Sequence, residues 1–348
     1  MGNIKFISRN YKHLNCGGGI AKSDIDIALG RLGFVNIGLR RSFHRNNIVH
    51  GIRNYIGVLK AIFSIRRNDI IILQYPMKLY FDTICRIAGK RGAKIICIIH
   101  DLSSFRNKSL TPEEEIKRLN LMDVLLTHNF RMRKWLSAYG CATKMIDYEI
   151  MDYLHWESGD AHTPIDRNYS LFYVGNVSFK THSYIRQLAE IIPDRDIFLY
   201  GPHPDTDEIA KFPNLHYMGV VADSKIIKSH EGDFGLSWYG ESLDDGVGRI
   251  GEYMAYNNPH KVSLYIRCNS PVIVWSGAGR AEFIEKENIG VAIDSLRQLD
   301  EKLNSISPEN YRHMTDNVAR INKRLKNGCY LREAIHKAIN YIREKSSH

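Results

Sequence analysis

A lysine two residues past an Asn-Pro pair, in the stretch Asn257-Asn258-Pro259-His260-Lys261, is the strongest chemical signal in the chain. Asn258 fits a helix N-cap and Pro259 the first helical position, where a missing N–H costs nothing. The spacing predicts a short helix from Pro259 to about Asn269. Its first turn offers unpaired backbone N–H groups and the positive end of the macrodipole; Lys261 adds a full charge, and the three together suit a phosphate. Phe234 to Trp238 before it and Val272 to Val274 after Pro271 read as buried parallel strands. The candidate anion site therefore belongs to a β-loop-helix-β unit. The plain alternative is a helix start with a solvated lysine.

Composition narrows the field. With 348 residues, 44% of them hydrophobic, the chain is long enough for two core-forming domains and too apolar to be disordered. Its apolar runs are strand-sized, so no membrane span is expected. The N-terminus has no cleavage pattern and reads as a mature strand. Six cysteines, Cys16, Cys85, Cys97, Cys141, Cys268 and Cys329, lack any Cys-x-x-Cys pairing. That pattern points to a reduced, cytoplasmic protein and against a zinc or disulfide framework.

The net charge of +10 is uneven: residues 1–160 hold 25 Lys and Arg against 14 Asp and Glu, whereas residues 161–348 hold 23 against 24. Within the basic half, Arg40, Arg41, Arg45, Arg53, Arg66 and Arg67 are interleaved with Phe43, His44 and Tyr55. Such a stretch favours an anionic surface, lipid headgroups or nucleic acid, unless it is a solvated face. It matches no nucleic-acid motif and leaves the neutral half unexplained, so no nucleic-acid partner is expected.

Strand-like and helix-like runs alternate along the whole chain. Ile4 to Ile7 is followed by the glycine-rich loop Asn15 to Gly19, with Gly17, Gly18 and Gly19 read as a close approach of backbone to a ligand. A helix from Ala21 to Leu32 comes next, then Phe34 to Leu39 (strand), Tyr55 to Phe63 (helix), Asp69 to Gln74 (strand), Phe81 to Ala88 (helix) and Lys94 to Ile99 (strand). Thr111-Pro112-Glu113-Glu114-Glu115 is a helix start, with a cap, a first-turn proline and three carboxylates. The second half repeats the alternation from Leu171 onwards and ends in two helices, near Pro308 to Lys326 and Leu331 to Glu344. The pattern predicts an α/β protein of two Rossmann-like doubly wound domains facing across a cleft, with C-terminal helices packing back on the first. Expected boundaries are 1–160, 161–325 and a C-terminal helix at 326–348.

Across most of its length the sequence resembles bacterial glycosyltransferases of the GT-B fold, within them a group of galactofuranosyltransferases and adhesin glucosyltransferases. The likeness rests on Gln74-Tyr75-Pro76-Met77, Ile99-His100-Asp101-Leu102, Tyr173-Val174-Gly175-Asn176 and Trp238-Tyr239-Gly240-Glu241-Ser242-Leu243. It is carried above all by the block from Gly251-Glu252-Tyr253-Met254 through Asn258-Pro259-His260-Lys261 to Pro271-Val272-Ile273-Val274-Trp275.

The resemblance implies a UDP-sugar substrate held by the C-terminal domain, no cofactor and no obligatory metal. Lys261, with Asn258 and His260 beside it, then meets the diphosphate. Lys180, after Gly175-Asn176, stands where related enzymes keep a second cationic phosphate ligand. Many retaining relatives bind ribose through a glutamate where this chain has Leu264, which leaves Glu241, Asp244, Asp245 and Glu252 as unranked candidates for ribose or donor-sugar hydroxyls. Inverting transfer needs one general base for the acceptor hydroxyl. Asp101, at the end of a strand in the basic domain, is the first choice and His100 the second.

The expected activity is transfer of galactofuranose, galactose or glucose to a glycan acceptor in surface polysaccharide or glycoprotein synthesis. A lipid-diphosphate-linked acceptor and peripheral docking on an anionic membrane surface are expected partners, and a homo-oligomer is open. The rivals are a nucleotide-sugar epimerase of the same fold and a basic nucleic-acid- or membrane-binding module.

Overall fold

Each strand of the first half is followed by enough helical chain to return to the same sheet edge, which makes the sheet parallel. In the computed structural model, which describes residues 2–12, 17–77, 80–159, 168–244 and 248–346, the strands are β1 (Ile4–Phe6), β2 (Val35–Asn36), β3 (Ile70–Tyr75), β4 (Lys94–Ile99), β5 (Val124–Thr127) and β6 (Lys144–Asp147). They run parallel in the order β2-β1-β3-β4-β5-β6. Their helices are α1 (Gly17–Arg31), α2 (Asn47–Ser64), α3 (Phe81–Lys90), α4 (Ser103–Arg106), α5 (Pro112–Leu119) and α6 (Phe130–Ala138). Thr111 and Glu114 form both arms of a capping box on α5, as the sequence predicts.

The second half builds another six-stranded parallel sheet. Its strands are β7 (Leu171–Val174), β8 (Ile197–Tyr200), β9 (Leu215–Gly219), β10 (Phe234–Ser237), β11 (Val272–Trp275) and β12 (Gly290–Ile293), in the order β12-β11-β10-β7-β8-β9. The helices are α7 (Tyr184–Ile191), α8 (Thr206–Ile209), α9 (Asp223–Lys228), α10 (Gly248–Met254), α11 (His260–Arg267), α12 (Ala281–Lys286), α13 (Leu299–Asn304) and α14 (Pro308–Lys326). Winding reverses between β7 and β10, and in the first sheet between β1 and β3. In doubly wound sheets ligands bind outside the carboxyl ends of the strands at such reversals.

The chain divides into one unit of Met1–Leu154 with Gly328–His348 and a second of His155–Asn327. Hydrogen bonding explains both crossings. Arg267, fully buried on α11, donates to the carbonyls of His155 (2.7 Å) and Glu157 (2.5 Å), tying that segment to the second unit. The final helix, α15 (Cys329–Ser346), belongs to the first unit, where the buried Asp152 carboxylate accepts from the backbone N–H groups of Tyr330 and Leu331 at its start. Burial raises the Asp152 carboxyl to about 7.

Several expectations need correction. Gly17, Gly18 and Gly19 form the first turn of α1, not a loop; burial of Ile20 and Ala21 extends the helix back into the glycines. α2 starts at Asn47, well before Tyr55, because Asn46 caps it by accepting from the N–H groups of Ile48 and Val49. α11 starts at His260: Pro259 is its extended cap residue and the helix has no side-chain cap, while the Asn258 N–H is taken by Asn257 Oδ1 at 2.9 Å. Asn15, Cys16, Asp245 and the linker at 160–167 lie outside the described residues. The other five cysteines are free, and among the described residues no helix is long and apolar enough to cross a membrane.

Candidate functional site

β7 and β10 are paired only at Leu171–Phe234 and Phe172–Gly235, and beyond that point the two strands part. The Tyr265 side chain of α11 fills the split. Its hydroxyl accepts from the Val174 N–H at 3.0 Å and donates to the Leu236 carbonyl at 3.0 Å, which satisfies backbone groups that no strand reaches. Gly235 makes this possible, since a Cβ there would lie 2.3 Å from the Tyr265 ring. Lys261 is one turn before Tyr265, on the same helix face. The packing that closes the split thus aims Lys261 at the reversal point of the sheet.

Lys261 Nζ sits between two aromatic rings, 4.2 Å from the Tyr173 centroid and 4.3 Å from that of Tyr239. Tyr173 ends the buried part of β7, and Tyr239 follows β10. Among the described residues no carboxylate pairs with Lys261, and burial lowers its pKa from 10.5 to about 7. The rings return part of the lost hydration through cation–π attraction. His182 adjoins the same group; burial first, and then the Lys261 charge, lower its pKa to about 4. A desolvated cation with no carboxylate partner among the described residues can receive an anion.

The loops after β7 and β8 close on this cation. A Cβ on Gly175 would meet the Tyr173 hydroxyl at 2.7 Å and Lys261 Nζ at 3.3 Å, while one on Gly201, at φ +147°, would overlap the Gly175 carbonyl oxygen. Both glycines are required by close approach. Asn176 shapes the following turn, accepting from the Ser178 N–H and donating to Thr181 Oγ1. Lys180 is exposed on that turn.

The carboxylate candidates separate. Glu241 and Glu252 have exposed side chains, and the Glu241 carbonyl accepts from Ser183 and Gln187. Asp244 is held by Ser295 Oγ and Arg297 Nε, both at 2.9 Å, and these contacts lower its pKa. Leu264 is buried. His260 and Asn258 lie at the start of α11, Asn258 buried and His260 half-buried.

In the first unit, His100 and Asp101 follow β4 and have different surroundings. Asp101 forms an ion pair with Arg106 at 2.6 Å. His100 is buried, and its Nε2 lies 2.7 Å from Gln74 Oε1. Gln74 Nε2 in turn donates to Asp26 Oδ1 at 2.8 Å, so its oxygen is the acceptor and His100 Nε2 carries the proton. Asp26 also accepts from Ser8 Oγ (2.5 Å) and the Tyr11 hydroxyl (2.8 Å). Burial raises its carboxyl to about 6 despite those bonds. Ser8 follows β1 and Gln74 is on β3, so this network occupies the first unit's own reversal point.

Residues 4–150 match the family model of the glucosyltransferase 3-like N-terminal domain, and residues 171–338 that of the glucosyltransferase 3-like C-terminal domain. The chain belongs to the glucosyltransferase 3-like family. It is 26% identical over 341 residues to the β-1,6-galactofuranosyltransferase WbbI of Escherichia coli (strain K12), covering 97% of this chain and 98% of that one. It is also 26% identical over 287 residues to glucosyltransferase 3 of Streptococcus gordonii, covering 79% and 80%. In fold it is similar to the lipopolysaccharide outer core galactosyltransferase WaaB in its apo form, with TM-score 0.61, 12% identity, and coverage of 97% and 99%. This glucosyltransferase 3-like chain is therefore a GT-B glycosyltransferase.

Within that family frame, the sequence had pointed to Lys261 but not to its two rings or to His182. Tyr173 and Tyr239 lie inside motifs that carry the family likeness, yet nothing in a linear pattern says that two strand ends meet one lysine. Asp26 was missed because its neighbours Ile25, Ala28 and Leu29 read as an ordinary core face of a helix.

Proposed function

We propose that this glycosyltransferase moves a hexose from a UDP-sugar to a glycan acceptor, with inversion and without a metal ion. The single observation that carries the reading is Lys261, a desolvated cation held between Tyr173 and Tyr239 at the sheet reversal with no carboxylate partner among the described residues. Departure of the sugar leaves charge on the diphosphate. A fixed cation and the N-terminal turn of α11 stabilise that charge at the moment it develops, with no reorganisation. Lys180 is a second, exposed cation for the same group, and Glu241 and Glu252 are the exposed carboxylates assigned to sugar or ribose hydroxyls. The activities for which the two relatives are named, galactofuranosyl and glucosyl transfer, support a hexose.

For the acceptor hydroxyl we assign the base to the His100-Asp101 pair and favour His100. In the neutral ring its lone pair is on Nδ1, and the Gln74–Asp26 relay fixes the tautomer and stabilises the imidazolium formed when a proton is taken. Asp101 is committed to Arg106. The reaction belongs on the cytoplasmic side, where nucleotide sugars are supplied.

A panel of nucleotide sugars in a thermal-shift assay identifies the donor, because a ligand at ~100 times its dissociation constant adds about 2.7 kcal/mol. Turnover with the identified donor should require an acceptor, should survive chelation, and should give a product of inverted anomeric configuration by NMR. Conversion of the sugar nucleotide without acceptor would make the protein an epimerase instead. Loss of transfer in chelator would return a metal to the diphosphate.

A further inference from the structure

Helix α2 carries an outer face that a soluble surface helix does not normally have. At 100° per residue, Ile48, Ile52, Tyr55, Ile56, Leu59 and Phe63 fall within a sector of about 100°. All six are exposed, from Ile48 at 71% near one end to Phe63 at 79% near the other. The opposite side of the helix buries Gly57, Val58 and Ala61 and so supplies the packing that holds it to the unit. The apolar stripe is thus additional to the core-facing one. From Ile48 to Phe63 it extends about 23 Å, far beyond the scattered apolar residues normal on a surface.

Charge tells what this face meets. No residue of Asn47–Ser64 is acidic, while Arg53 and Lys60 border the stripe along one edge and Arg45, Arg66 and Arg67 are exposed at its ends. A second copy of the chain, related by a two-fold axis, would bring these cations against their own equivalents with no carboxylate on the helix to pair them. An anionic lipid surface satisfies both features at once: the apolar side chains enter the acyl boundary and the arginines and lysine meet headgroup phosphates.

We propose that α2 is a membrane-docking helix that lies in the plane of an anionic bilayer surface, inserting its Ile48-to-Phe63 stripe and held by the flanking cations. The acceptor for which this suits the enzyme is one anchored in that bilayer, and this last step rests on the transfer reading above; the docking itself does not.

The test is co-sedimentation with vesicles of phosphatidylcholine alone or mixed with phosphatidylglycerol, at low and high salt. Two variants accompany the wild type: Ile52→Ser with Ile56→Ser and Phe63→Ser, and Arg45→Ser with Arg66→Ser and Arg67→Ser. All substituted side chains are outside the core; thermal unfolding followed by circular dichroism reports whether each variant is folded, and UDP titration, read in the second unit, whether it is donor-competent. The wild type should sediment with the mixed vesicles and not with phosphatidylcholine alone. Each triple change, and high salt, should lower the partition about tenfold or more with UDP affinity unchanged. Equal partition onto both vesicle types, or no loss in the serine variants, overturns the proposal. So does light scattering in which the wild type is a dimer that the Ile52, Ile56 and Phe63 changes split while vesicle binding is unaltered. Loss of UDP binding in the wild type would instead sink the donor reading and leave the docking result standing.

Discussion

The two reversal points differ in how completely they are satisfied. In the first unit, Ser8, Tyr11, Asp26, Gln74 and His100 form a connected network in which the buried carboxylate accepts from three side chains. In the second, the described residues offer Lys261 two ring faces and no carboxylate. The same fold feature thus carries a hydrogen-bonded histidine in one place and a buried lysine between two rings in the other, which is the basis for the base and diphosphate roles proposed above. A satisfied network holds a geometry; an unsatisfied charge states what is to bind.

Removing the proposed base should give the largest effect. His100→Ala is expected to lower the transfer rate by about 10²–10⁴ while leaving UDP affinity unchanged, the usual worth of a general base. Asp101→Asn, measured in the same acceptor assay, should cost less than His100→Ala. If the order reverses, Asp101 is the base and Arg106 merely holds it in the resting enzyme.

Next comes the cation. Lys261→Ala should weaken UDP binding by on the order of 1.5–3 kcal/mol in isothermal titration, with Lys180→Ala a smaller version because that lysine is exposed. Burial holds Lys261 near 7, below its ordinary 10.5, and a diphosphate would pull it back up. The complex therefore takes up a proton when formed above pH 7, and affinity should fall by up to about tenfold per pH unit as pH rises past that value. Lys261→Arg, which stays charged, should lose that slope. A wild type with no pH dependence between 7 and 9 would mean that Lys261 is charged without its ligand.

The architecture was legible because periodicity survives without tertiary knowledge: Lys94–Ile99 and Pro308–Lys326 coincide with their predicted spans, and the alternation of strand and helix dictated two parallel sheets. What failed was local or long-range. The glycines at 17–19 looked like a loop because glycine disfavours helix, yet burial of Ile20 and Ala21 outweighs about 1 kcal/mol per glycine. The sequence pattern shows α2 only from Tyr55, because Asn47 to Asn54 mixes apolar and polar residues without a buried face of its own. Of the site, Lys261 was visible through its helix start, whereas Tyr265 in the β7–β10 split and the Asp26 relay depend on contacts between residues 91 and 48 positions apart.

The smallest expected effect sharpens the contrast from the first unit's side. Asp26 is 6% exposed, and burial lifts its carboxyl from 3.8 to about 6 even though Ser8 and Tyr11 oppose the shift. A folded-state value above the unfolded one means that the native protein binds the proton more tightly. This contribution to stability is therefore fully present below about pH 4 and is lost as pH rises through about 6. Asp26→Asn keeps an oxygen for the Gln74 amide and removes the ionisable group, while the Ser8 and Tyr11 hydroxyls can turn to accept. Urea unfolding of the variant should lack the wild type's fall in stability between pH 4 and 6. At pH 8 the two should differ by about 1 kcal/mol, the relief of a buried charge set against rearranged hydrogen bonds. If the variant shows the same slope as the wild type, Asp26 titrates normally, and the network holds His100 by shape alone.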